Sequence, residues 1–74
     1  MDRIRIAIVG CGRIAGAHLQ ALQMIEEAQV AAVADVNPEA AEQFALKAGC
    51  PAFTDYREMI ARVEPEIVCV CTPP

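Results

Sequence analysis

Tryptophan is absent from these 74 residues, histidine occurs once, and aromatic residues make up only 4% of the chain. Fourteen residues are alanine, so much of the 55% hydrophobic content carries little volume. Basic residues are also scarce: six Lys and Arg face ten Asp and Glu, for a net charge of −4. That balance leaves no electrostatic footprint for nucleic acid or an anionic membrane surface. No apolar run approaches the roughly 18 residues of a membrane span. Met1-Asp2-Arg3 leads straight into a strand-like segment, without the layout of a signal peptide. Four cysteines (Cys11, Cys50, Cys69, Cys71) with no CxxC and a single His support no metal site. Free thiols in a cytoplasmic protein are the simplest reading.

What is present argues for order. A charged fraction of 22% beside that hydrophobic content excludes a disordered chain. A domain this short buries only about 60% of the surface its unfolded chain exposes, so one small domain fits and two do not.

The hydrophobic period alternates along the chain. Ile4 to Val9 is a β-branched run ending at Gly10, as a buried strand should. From Arg13 the period lengthens: Ile14, His18, Ala21, Leu22 and Ile25 recur at three- and four-residue steps and predict the packed stripe of a helix. Val30 to Ala34 reads as a second strand, ending at Asp35. Asn37-Pro38-Glu39 then supplies an N-cap, a proline at the first helical position and an acid in the first turn. That helix runs to Ala48, with Gly49 at its C-terminal stop. Pro51 to Thr54 allows only a brief third strand. Asp55 and Glu58 have capping-box spacing before a helix striped by Met59, Ile60 and Val63. Glu64-Pro65 breaks it, and Ile67 to Cys71 reads as a last buried strand. The order β-α-β-α-β-α-β is that of an α/β fold with a parallel sheet covered on both faces. Right-handed crossovers predict the strand order 3-2-1-4 of a partial Rossmann fold.

One constellation carries chemistry. Gly10-Cys11-Gly12-Arg13-Ile14-Ala15 is G-x-G-x-x-A, set between the first strand and the first helix. Gly10 permits the tight turn, Gly12 lets backbone approach a pyrophosphate, and Ala15 with Gly16 allows close helix–strand packing. The free N–H groups and positive dipole end of the helix then face the phosphates. The context strengthens the motif, because a second strand ends in an acid, Asp35, at the expected distance. An aspartate there can accept hydrogen bonds from a ribose diol, whereas a 2′-phosphate would meet like charge. Val36, Asn37 and Pro38 supply no cation to reverse that preference, so NAD is favoured over NADP. Arg13 could reach a phosphate or face water. His18 reads as a helix histidine on the packed side, since nothing is placed to work with it in catalysis. Cys11 could be activated near a helix N-terminus, but a small space-filling residue is the simpler role.

Residues 6–19, the strand-end Asp35 and residues 65–74 together resemble the N-terminus of the glucose–fructose oxidoreductase / inositol dehydrogenase / rhizopine-catabolism (Gfo/Idh/MocA) family. The resemblance covers the whole chain. It implies a nicotinamide-dependent oxidoreductase acting on sugars, cyclitols or related hydroxyl and carbonyl compounds. It also implies that Thr72 and Pro73 line the cofactor site. The expected cofactor-binding set is therefore Gly10, Cys11, Gly12, Arg13, Ile14, Ala15, Asp35, Thr72 and Pro73. In the family the catalytic lysine follows the next strand and a histidine lies in a separate substrate domain. Residues 1–74 are thus expected to be the N-terminal part of a dinucleotide-binding domain, with no catalytic residue of its own. A stand-alone module that self-associates through its last strand is the alternative. A methyltransferase, which also uses a glycine-rich first loop, is disfavoured by the terminal Thr-Pro-Pro and the Gly10-to-His18 spacing.

Overall fold

Strand and helix alternate as the change of hydrophobic period requires. The computed structural model describes residues 3–71, so the expected roles of Thr72 and Pro73 lie outside the described residues. Its elements are β1 (Ile4–Val9), α1 (Arg13–Gln23), β2 (Ala28–Ala34), α2 (Pro38–Ala48), β3 (Ala52–Phe53), α3 (Tyr56–Val63) and β4 (Ile67–Val70). The strands form one parallel sheet in the order β3-β2-β1-β4, as the crossover rule predicts. Among the described residues no helix is long and apolar enough to cross a membrane.

The helix ends follow their local signals. Asn37 Oδ1 accepts from the Glu39 and Ala40 N–H groups at 3.0 and 3.3 Å, and Gly49 closes α2 at φ 70°. Asp55 caps α3 by accepting from Arg57 N–H at 2.9 Å. Only half of the expected capping box forms among the described residues, because Glu58 pairs instead with Arg62 one turn ahead at 3.2 Å. At the other end of α3, Glu64 takes a left-handed φ of 51° before Pro65. The Arg5 guanidinium donates to the Val63 and Glu64 carbonyls, which ties the C-terminus of α3 to β1.

Two unequal cores flank the sheet. On one face Ile8 and Val33 pack under Ala15 and Leu19 of α1 and Phe44 and Ala45 of α2. On the other, Met59 of α3 lies on a floor made of Ala7, Ala32 and Ala34. Three alanines thus floor this face, where small residues leave room for the Met59 side chain of α3. The phase of β2 changes at a bulge: Ile6 faces Val30 but Ala7 faces Ala32, which leaves Ala31 as the extra residue. Val30 and Val33 can then both point toward α1 and α2.

Two expectations are corrected. The buried stripe of α1 is Ala15, Leu19 and the half-buried Leu22, one residue out of phase with the predicted one. Ile14 is 64% exposed, His18 and Ala21 are exposed, and Ile25 lies beyond the helix. The smallest residue of the first turn, Ala15, is the one that faces the sheet, buried in the cluster of Ile8 and Val33. The last strand is also not buried. It pairs only with β1 and lies at the sheet edge, leaving Ile67, Val68 and Val70 exposed.

Candidate dinucleotide site

The site lies at the carboxyl ends of β1 and β2, the place where open parallel sheets bind ligands. At Gly10 the chain turns out of β1 with φ 93°, a conformation that favours glycine. Its N–H donates to Ala34 O at 2.7 Å, which fixes the turn against β2. Gly12 is the N-cap of α1, with extended backbone (φ −87°, ψ −162°). Among the described residues no side chain caps α1, and its first turn carries no acid, so its leading N–H groups face solvent or a ligand. A Cβ added at Gly12 would meet no protein atom within 4 Å. The fold does not demand glycine there; its absent side chain keeps the space over the helix start clear.

Ala15 is wholly buried in the α1/α2-side core. The close packing rests on Ala15 rather than on Gly16, where an added Cβ would also meet nothing within 4 Å. Arg13 and Ile14 are exposed in the first turn of α1. His18 lies one turn further on, away from the core.

Asp35 is half-buried and forms a bridge between two segments. Its Oδ2 accepts from the Cys11 N–H at 2.9 Å, and its Oδ1 accepts from the Asn37 N–H at 2.8 Å. Its own N–H donates to Phe53 O at 3.0 Å. The acid is thereby held from the glycine loop, from the start of α2 and from β3. A carboxylate offers about four lone-pair sites, so each oxygen keeps capacity for one further donor. That is the need of a vicinal diol.

Beside Asp35 an apolar cleft of about 530 Å³ opens on the α3 side of the sheet, walled by Gly10, Val36, Tyr56, Ile60 and Val70 among others. Val36 is 90% exposed at its rim. Sequence reading missed this cleft, because its walls come from four separate segments. The only sign was an apolar residue directly after the strand-end acid.

Cys11 is not an activated thiol. Burial, followed by the Asp35 carboxylate, pushes it up to about 11, and its Sγ lies 3.7 Å from Ala34 O. The raised value means that the folded chain holds this proton more tightly than the unfolded chain, whose thiol titrates near its ordinary 9.0. The associated stability is complete below about pH 9 and is lost as pH rises through about 11. Melting temperature should fall over that interval, and Cys11→Ser should flatten the fall. An equally steep profile in that variant would assign the effect to Cys50 and Cys71, whose thiols burial also raises.

Comparisons with known proteins agree with the fold. A family model described as an oxidoreductase family with an NAD-binding Rossmann fold matches residues 4–74. Inositol 2-dehydrogenase of Rhizobium meliloti is 38% identical over 95% of this chain and 21% of its own length. Among solved structures, the WlbA dehydrogenase of Chromobacterium violaceum, in complex with NADH and UDP-GlcNAcA, superposes with a TM-score of 0.92. It is 34% identical over 99% of this chain and 21% of that one. KijD10, a 3-ketoreductase of Actinomadura kijaniata in complex with TDP-benzene and NADP, gives a TM-score of 0.89. There the identity is 27% over 97% of this chain and 23% of that one. The chain spans about a fifth of the length of the proteins it matches.

Proposed function

We propose, because this chain belongs to the Gfo/Idh/MocA oxidoreductase family, that it is the N-terminal cofactor-binding part of an NAD(H)-dependent enzyme acting on a sugar, cyclitol or related hydroxyl or carbonyl compound. The observation that carries the cofactor reading is the Asp35 bridge, a carboxylate fixed beside an uncapped helix start with one acceptor site free on each oxygen. In this reading Gly10, Cys11, Gly12, Ile14 and Ala15 form the cradle for the pyrophosphate, and Arg13 stands beside it. Asp35 takes the adenosine ribose, and the cleft walled by Val36, Tyr56 and Ile60 takes the adenine. Thr72 and Pro73 continue the path toward nicotinamide. The bound dinucleotide would supply hydride-transfer chemistry; residues 1–74 bind and orient it and move no proton themselves. Sugar and cyclitol substrates are supported by the inositol and nucleotide-sugar relatives. Four free thiols suit a reducing, cytoplasmic setting.

The test is Asp35→Ala, titrated with NADH and with NADPH. Removing the diol's acceptor should weaken NADH by about tenfold or more, the value of one to two hydrogen bonds to a charged group. NADPH should lose nothing, because the repulsion of its 2′-phosphate goes with the carboxylate. Unchanged NADH binding in a folded variant would remove Asp35 from the site.

A second reading is supported by the exposed β4 edge: the chain by itself is a self-associating module without catalysis. Ile67, Val68 and Val70 lie on an uncharged edge strand, paired with β1 on one side, of the kind that templates strand addition. Sedimentation at high micromolar concentration should then show dimers or larger species, abolished by Val68→Lys. A monodisperse monomer would remove this reading.

A further inference from the structure

The two helices that begin beside the site meet anions in opposite ways, and sequence decides which one is open. The α1 start has no side-chain cap and no acid in its first turn. At the α2 start the side-chain oxygen of Asn37 already accepts from the N–H groups of Glu39 and Ala40. The Asn37 N–H is also engaged, by Asp35, and Pro38 has no N–H to offer. Glu39 adds an acid in that first turn.

We infer that Asn37 is a specificity-determining residue: its side chain closes the α2 N-terminus to a ribose 2′-phosphate, so that rejection of the phosphorylated cofactor rests on this cap as well as on Asp35. The inference depends on the dinucleotide reading above. A 2′-phosphate placed against Asp35 lies beside the start of α2, where the Asn37 side chain already occupies the Glu39 and Ala40 N–H groups. The backbone N–H of Asn37 also holds Asp35 Oδ1, so the carboxylate cannot swing aside without losing that bond and the one from Cys11. Removing the charge of Asp35 alone takes away the repulsion and frees the Cys11 and Asn37 N–H groups, yet it leaves the Glu39 and Ala40 N–H groups held by the Asn37 side chain.

The experiment titrates NADH and NADPH against the wild-type chain, Asp35→Ser, Asn37→Gly, Asn37→Ser and the double variant Asp35→Ser/Asn37→Gly. Glycine caps a helix almost as well as asparagine while deleting the competing oxygen, so α2 should persist. Serine at 37 keeps a capping oxygen and is the conservative control. Circular dichroism melting checks that each variant is folded. Asp35→Ser should lose NADH affinity yet gain no more than about threefold for NADPH, whereas the double variant should gain about tenfold beyond Asp35→Ser, one decade of Kd. Asn37→Ser should keep the wild-type ratio of the two cofactors. If Asp35→Ser alone gives the full gain and Asn37→Gly adds nothing, Asn37 has no part in selection while the dinucleotide reading stands. If the wild-type chain binds neither cofactor, both fall.

Discussion

Gly12→Asp should abolish NADH binding while leaving the protein as stable as before, or slightly more so. Those opposite directions follow from the α1 start. Its N-cap position is extended and exposed, and an added Cβ there meets no protein atom. Aspartate is a better N-cap than glycine by a few tenths of a kcal/mol, and its charge favours the positive end of the helix by about 0.3–1 kcal/mol. Melting should therefore hold steady or rise by about 2–4 °C in a domain of this size. The new carboxylate would take the N–H groups that a pyrophosphate needs and repel its charge. A loss on the order of a hundredfold, about 2.7 kcal/mol, is expected. Retained affinity in the folded variant would move the phosphates away from the α1 start. Lost stability with retained affinity would contradict the open geometry of Gly12.

Met59→Ala should be the most destabilising single change in the chain. Met59 is fully buried, and it is the buried side chain by which α3 holds the sheet. Its floor is Ala7, Ala32 and Ala34, whose methyl groups cannot extend to fill the space it leaves. Deleting such a side chain costs about 2–5 kcal/mol. A 74-residue chain holds only about 4–11 kcal/mol in total, from typical stability per residue. The variant should melt more than 10 °C lower or be unfolded at 37 °C. Met24→Ala, at a position that is 87% exposed, should change melting by less than about 4 °C, in keeping with the roughly 0.5 kcal/mol bound on surface substitutions. A loss below 1 kcal/mol for Met59→Ala would show that α3 is not anchored as described.

What could be read in advance was whatever is encoded within a few consecutive residues. The run from Ile4 to Val9, the Asn37-Pro38 start and the Gly49 stop of α2, and the strand order all stand in the structure. The turn at Gly10 was also legible, because its positive φ favours glycine, as was the strand end before Asp35. The misses are relations between distant segments. The large side chain of Ile14 suggests an inward-facing residue, whereas the small Ala15 next to it is the one buried against Ile8 and Val33. The bulge at Ala31 left no mark in a run of five small apolar residues. The burial of β4 depends on whether a neighbour lies beside it, and no local pattern reports that. Nor could the sequence show that Asp35 is held by the Cys11 N–H, a backbone group 24 residues away.

The central claim is that a dinucleotide binds across the glycine loop and Asp35. Amide chemical shifts of the labelled chain, followed as NADH is added, test it directly. The account predicts saturable shifts at Gly10, Cys11, Gly12, Asp35 and Asn37, with Gln23, Ala48 and Gly49 at the opposite end of the sheet unmoved. No shifts at millimolar NADH, or shifts confined to that opposite end, would contradict it.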